Sequence, residues 1–199
     1  RAQLVAAKRV RAVASAAAQA VGTITLDSYT RVGDEDGARR ALAQGLELNG
    51  YPIVAHGPQV TASVAAAGGA GMPVQVRHGS AVPGDIFAAI AGAGLTATEG
   101  GPVSYCLPYG RTPLAESVAA WKSASSQFAE DCAEQGRRAH LETFGGCVMG
   151  QLCPPSLLIA ISVLEALFFA QRGIRSVSLS YAQQTSMAQD IEALAAMRT

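Results

Sequence analysis

Charge is scarce in this chain and balanced: of 199 residues, 15 are Lys or Arg and 15 are Asp or Glu, which leaves no formal net charge. That excludes the basic face of a general nucleic-acid binder and the like-charged block of an acidic tail. Aromatics make up only 6%, with a single Trp, so the 49% hydrophobic content is carried mainly by aliphatic side chains and alanine. A chain of this size and apolar content builds a real core. Long apolar runs are missing as well. The most apolar stretch, Leu157 to Ala170, is interrupted by Glu165 and is shorter than the roughly 20 residues that cross a bilayer, so no membrane span is expected. Arg1 to Ala20 carries Lys8, Arg9 and Arg11 in Ala-rich sequence and lacks the compact apolar region of a signal peptide. The cysteines at 106, 132, 147 and 153 show no zinc-binding spacing and read as reduced thiols of a cytoplasmic protein. No GxSxG elbow, strand-end lysine or Ser or Cys with an obvious His partner is present, and His56 and His78 are each followed only by Gly. No metal site is expected, and chemistry by a bound cofactor fits better than chemistry by a side-chain nucleophile.

What is present is one repeated theme, a short β-branched run followed by a Gly- or Pro-rich loop and an Ala-rich helix. Strands are predicted at Gly22–Tyr29, Pro52–Ala55, Pro73–Arg77, Leu95–Thr98, Ala139–Phe144 and Ser176–Tyr181. Helices are predicted at Ala2–Ala20, Glu35–Leu48, Gln59–Ala67, Gly84–Ala93, Pro113–Gln135, Pro155–Arg172 and Thr185–Met197. Alternation of this kind gives an α/β fold in which parallel strands are joined by helical crossovers.

The unusual polar residues follow the strands: Asp27 to Arg31, His56, Arg77 and His78, Glu99, Glu142 and Tyr181. In a parallel α/β protein the C-terminal strand ends share one edge, so these groups are expected to converge on one pocket. Arg31 and Arg77 offer planar forks suited to two carboxylates, and Glu99 offers an acceptor for an ammonium or hydroxyl. Tyr105 and Tyr109 add neutral donors on a loop held by Pro102 and Pro108. The set matches a small amino dicarboxylic acid. A phosphate on the Gly pairs at 100–101 and 145–146 is the other ligand these residues allow.

The runs LDSYTR (26–31), LNGYPIVAHG (48–57), PVQVRHG (73–79), TATEGGPVSYCLPY (96–109), ETFGG (142–146), PPSLLIAISVLEAL (154–167) and QDIEALAAMR (189–198) resemble, in order, the catalytic epsilon subunit family of glutamate mutase, or methylaspartate mutase. The resemblance implies a TIM-like (β/α) barrel and an isomerase that interconverts glutamate and 3-methylaspartate by radical carbon-skeleton rearrangement. It further implies adenosylcobalamin, held mainly by a separate small cobalamin-binding subunit. By the same resemblance Arg31 and Arg77 grip the substrate carboxylates, and Glu99, the catalytic candidate, accepts from the substrate amino group. Tyr105 and Tyr109 contact the substrate, and Asn49 and Glu142 face the cofactor. Leu141 and Thr143 flank Glu142 where the family has Arg and Pro, and Ser80-Ala81-Val82 replaces its Thr-Pro-Asp. A non-catalytic scaffold or regulatory paralogue that binds an amino acid or a partner subunit is the alternative expectation.

Six predicted strands fall short of the eight strands and about 250 residues of a complete barrel. The expectation is therefore one barrel segment over residues 1–199 lacking its first and last strands, closed by a partner chain, a second copy or residues outside this sequence.

Overall fold

The computed structural model describes residues 21–69, 71–105, 110–144 and 153–199. Within them the chain runs β1 (Gly22–Thr25), α1 (Ser28–Arg31), α2 (Glu35–Ala43), α3 (Ile53–His56), α4 (Pro58–Ala66), β2 (Val74–Arg77), α5 (Gly84–Gly92), β3 (Ala97–Glu99), α6 (Leu114–Glu134), β4 (His140–Glu142), α7 (Pro155–Ala170), β5 (Ser176–Ser178) and α8 (Met187–Ala196). The strands follow chain order in the sheet, and β1–β2, β2–β3 and β4–β5 pair in parallel. This is the α/β fold that the alternating pattern predicts. The helix expected at Ala2–Ala20 lies outside the described residues.

The chain forms two compact units, one of residues 1–78 and 85–98, the other of residues 79–84 and 99–199. In the first, β1 and β2 alternate. Ile24 and Val76 are register partners on one face, while Thr23, Thr25, Gln75 and Arg77 share the other. Leu26, Ile53, Val76, Phe87 and Ile90 form the buried layer. In the second unit Leu141 and Val177 pair on one face, and His140, Glu142, Ser176 and Ser178 occupy the other. Its core is built by α6 and α7. Ser117, Trp121, Ala124, Ser125, Phe128 and Cys132 recur at helical spacing along α6, and Trp121 packs on Phe169 of α7 with ring centroids 5.9 Å apart.

Two predicted strands are corrected. The first does not continue to Tyr29, because the Asp27 carboxylate accepts from Tyr29 N (2.9 Å) and Thr30 N (3.1 Å) and turns the chain into α1. An aspartate that satisfies the first free amides of a helical turn competes directly with strand extension. Pro52–Ala55 is not a strand. Only Tyr51 bridges Leu26 in parallel, Pro52 has no N–H to give a ladder, and Ile53–His56 forms the single turn α3. The structure therefore has five strands among its described residues where the sequence pattern predicts six. Helix α2 ends at Ala43 and not at Leu48, since Gly45 and Leu46 close the last turn onto Leu42 O and Ala41 O.

The segment before Tyr51 lies against the end of β1. A Cβ on Gly50 would sit 2.5 Å from the Leu26 carbonyl carbon and oxygen and 2.6 Å from Asp27 N, all backbone atoms. No side-chain rearrangement relieves that contact. Gly50→Ala is therefore expected to destabilise the protein by about 1–3 kcal/mol, the usual cost of overpacking; equal urea midpoints for variant and parent would refute the close approach.

Candidate active site

In the first unit the end of β1 carries a small hydrogen-bonded frame. Asp27 is fully buried and also receives the Thr30 hydroxyl at 2.5 Å. Arg31, one turn later, donates from Nε to the Leu26 carbonyl at 2.9 Å. That bond anchors the guanidinium by its inner edge, and its outer N–H groups have no protein partner among the described residues. The Asn49 side-chain oxygen accepts from Ser28 N at 2.9 Å, so Asn49 secures the start of α1. Arg77 ends β2 opposite Thr25; its carbonyl takes Leu26 N at 2.9 Å, and its side chain is exposed. The structure thus brings Arg31, Asn49 and Arg77 to the same strand ends.

The histidines of this unit pack against aromatic rings. His78 is buried edge-on against Phe87, 5.7 Å between centroids. His56 lies 5.0 Å from the Tyr51 ring; burial lowers its pKa and Asp27 acts against that shift.

In the second unit Glu99, at the end of β3, is 3% exposed and accepts the Tyr105 hydroxyl at 2.7 Å. The residues between them make this contact possible. A Cβ on Gly100 would meet Tyr105 Cε2 at 2.3 Å, and Gly100 N donates to the Glu142 carbonyl at 2.9 Å. The Tyr105 ring also lies 5.3 Å from that of Phe144. Glu142 is half-buried beside His140, whose ring nitrogens meet the hydroxyls of Ser176 at 2.9 Å and Ser178 at 3.2 Å. Burial lowers the His140 pKa, with Glu142 opposing. Tyr109, Cys106, Cys147 and Gly145–Gly146 lie outside the described residues.

Sequence reasoning missed Glu165. It sits on α7 in line with Leu158, Ile161, Ser162 and Phe169 on the buried stripe. Its Oε1 accepts from Val103 N at 3.1 Å and Ser104 N at 3.0 Å, and the Ser104 hydroxyl lies 2.8 Å from both carboxyl oxygens. The Ser117 hydroxyl donates to the Pro102 carbonyl at 2.8 Å on the same segment. A Cβ on Gly101 would fall 2.0 Å from Glu165 Oε1. The signal was available: a lone acid at the stripe spacing of an otherwise apolar helix.

The Methylaspartate mutase E chain (MutE) family model matches residues 5–199. The chain belongs to this family. It is 37% identical over 182 residues to the glutamate mutase epsilon subunit of Halobacterium salinarum, 36% identical over 180 residues to that of Haloarcula marismortui, and 33% identical over 181 residues to that of Yersinia enterocolitica. Each alignment covers 87% of this chain and 36–37% of the relative, so the chain spans little more than a third of the length of these relatives. A solved (β/α)-barrel structure from Burkholderia cenocepacia J2315, named as a candidate phosphonomutase, is similar with TM-score 0.53 and 19% identity over 96% of this chain and 71% of that one. That likeness concerns the fold and identifies it as a TIM-like α/β type.

Within the family frame, Leu141 and Thr143, which depart from the pattern around Glu142, are both fully buried. Thr143 is also used by β5's exit, its hydroxyl accepting from Ser180 N at 3.0 Å and its carbonyl accepting from the Ser180 hydroxyl. Among the described residues no three His, Cys, Asp or Glu side chains gather as a metal set, and no helix is long and apolar enough to cross a membrane. Cys132 is a buried free thiol and Cys153 a half-buried one.

Burial pushes the Glu165 carboxyl up from 4.5 to about 7, against the opposing pull of the Ser104 hydroxyl and the Ser104, Val103 and Phe144 amides. Between these two values the folded protein holds more protons than the unfolded one, so this group's contribution to stability falls as pH rises and levels off above about 7. The full swing is on the order of 3 kcal/mol. Urea denaturation at pH 5 and pH 8 reads it as a double difference: the stability of the parent relative to Glu165→Gln should drop by about that amount. A pH-independent difference would exclude the shift.

Proposed function

We propose that this chain belongs to the catalytic component of a glutamate mutase-like isomerase that binds glutamate, or a close amino-acid analogue, at its strand ends. The observation that carries this reading is the buried Glu99 carboxyl receiving the Tyr105 hydroxyl at 2.7 Å, a fixed acceptor at a C-terminal strand end. The curated relatives, named glutamate mutase epsilon subunits, support the same substrate class. In this reading Arg31 and Arg77 take the two carboxylates, Glu99 receives the substrate ammonium, and Tyr105 and Tyr109 contribute neutral hydrogen bonds. Holding both ends of a short flexible dicarboxylate fixes the carbon skeleton and excludes water from the reacting carbons.

Adenosylcobalamin is the cofactor this reading requires, and when bound it supplies the radical chemistry of the rearrangement. The donor set fits a shared site. Asn49 and Glu142 carry hydrogen-bonding groups suited to the ribose and the corrin side chains. The three histidines lie against the Tyr51 ring, pack on Phe87 or bond to two serines, and a separate small cobalamin-binding subunit would hold most of the cofactor. Closure of the barrel segment by a partner chain or second copy is supported by the exposed stripe of Met187, Ile191 and Leu194 along α8.

The experiment combines this protein with the small subunit, adenosylcobalamin and glutamate, and follows 3-methylaspartate by mass spectrometry; absence of turnover in the loaded complex refutes the reading. Calorimetry supplies the residue test. Arg77→Ala should weaken glutamate binding roughly 10- to 100-fold, as expected for the loss of a charged hydrogen-bonding partner. Glutamate binding without any uptake of adenosylcobalamin would favour a non-catalytic paralogue.

A further inference from the structure

Glu165 lies 61 residues along the chain from Ser104 and is one of the largest fully buried side chains of the protein. No hydrogen bond joins it to Glu99 or to the Tyr105 hydroxyl. What it holds is the segment between them. Leaving Glu99, the chain has Gly100, Gly101 and Pro102 before Val103, Ser104 and Tyr105. Both Val103 N and Ser104 N point at Glu165 Oε1. Two consecutive amides on one oxygen fix the Pro102–Val103 and Val103–Ser104 peptide planes, which lead the chain to Tyr105, and the Ser104 hydroxyl spanning both carboxyl oxygens fixes the roll of the carboxyl itself. Gly101 closes the arrangement from the other side, where any Cβ would overlap the carboxyl.

We propose that Glu165 is a positioning residue: by clamping the Val103 and Ser104 amides it sets the Tyr105 hydroxyl onto Glu99 and so shapes the ammonium end of the substrate site. The proposal rests on the reading of Glu99 and Tyr105 as substrate contacts. Gln retains the acceptor oxygen for both amides and offers an N–H to the Ser104 hydroxyl, as the protonated acid would. Ala removes the clamp altogether and takes the Glu165 acceptor from the part-buried Val103 amide and the buried Ser104 amide.

Amide hydrogen exchange without ligand, Tyr105 ring proton shifts and glutamate calorimetry test this together. Glu165→Gln should match the parent in all three. Glu165→Ala should speed exchange at Val103 and Ser104 by about tenfold or more relative to Leu158→Ala, a core truncation on the same helix that leaves the segment alone. It should also move the Tyr105 shifts away from those imposed by Phe144, and weaken glutamate binding about tenfold. Should Glu165→Ala fail to fold, Ser104→Ala takes its place, with a smaller change in the same direction.

Exchange at Val103 and Ser104 no faster than in Leu158→Ala overturns the clamp. Faster exchange with unchanged Tyr105 shifts or unchanged glutamate affinity overturns the positioning role. If the parent itself binds no glutamate, the functional reading fails, while exchange and ring shifts still decide whether Glu165 sets Tyr105.

Discussion

A carboxyl group with no access to water must find its hydrogen bonds in the protein, and in the second unit that requirement organises the surroundings of the site. Glu165 meets it with the Val103 and Ser104 amides and the Ser104 hydroxyl. An unpaired acid at this depth would cost several kcal/mol, so the segment 101–105 is compelled to approach α7. Gly101 is the residue that permits the approach, and Tyr105 is carried with it to Glu99. The geometry at the strand end is thus a consequence of a core contact made on the far side of the loop.

The first unit uses a different device for the same purpose. There the frame is a cap: Asp27 satisfies two amides of the next turn, and Arg31 is tied back to the strand it has just left. The Asn49 side chain completes the frame from a segment more than 20 residues away. Both devices place polar side chains at strand ends on specific hydrogen bonds, so neither depends on an extended loop holding its shape unaided.

The element order was legible because Pro before a helix, Gly after it and β-branched runs between are local signals. Helices α6 and α7 fall within two residues of their predicted limits. The errors came where two local signals compete. Ile53-Val54 reads as strand on composition, but Pro52 and the single bridge at Tyr51 leave it one helical turn. Asp27 reads as a polar strand end, yet its side chain ends the strand. The candidate site residues were legible as polar groups following strands, and Arg31, Arg77 and Glu99 do stand there. Glu165 was not, because its role depends on a partner 61 residues distant. Periodicity could place it on a buried face, but not tell what it would meet there.

The alternation described for the strands has a consequence for how the chain finds its alignment. Buried parallel strands usually read as continuous apolar runs and carry little information about which residue belongs opposite which. Here each unit's pair has one apolar and one polar face. Sliding β2 by a single position against β1 would put Gln75 or Arg77 where Val76 now packs, and the equivalent slip of β4 against β5 would send His140 or Glu142 into the layer occupied by Leu141. The polar side chains on these strands therefore act as a vernier for the sheet. Replacing them with aliphatics would add apolar surface and at the same time erase the marks by which three- and four-residue strands recognise their correct offset.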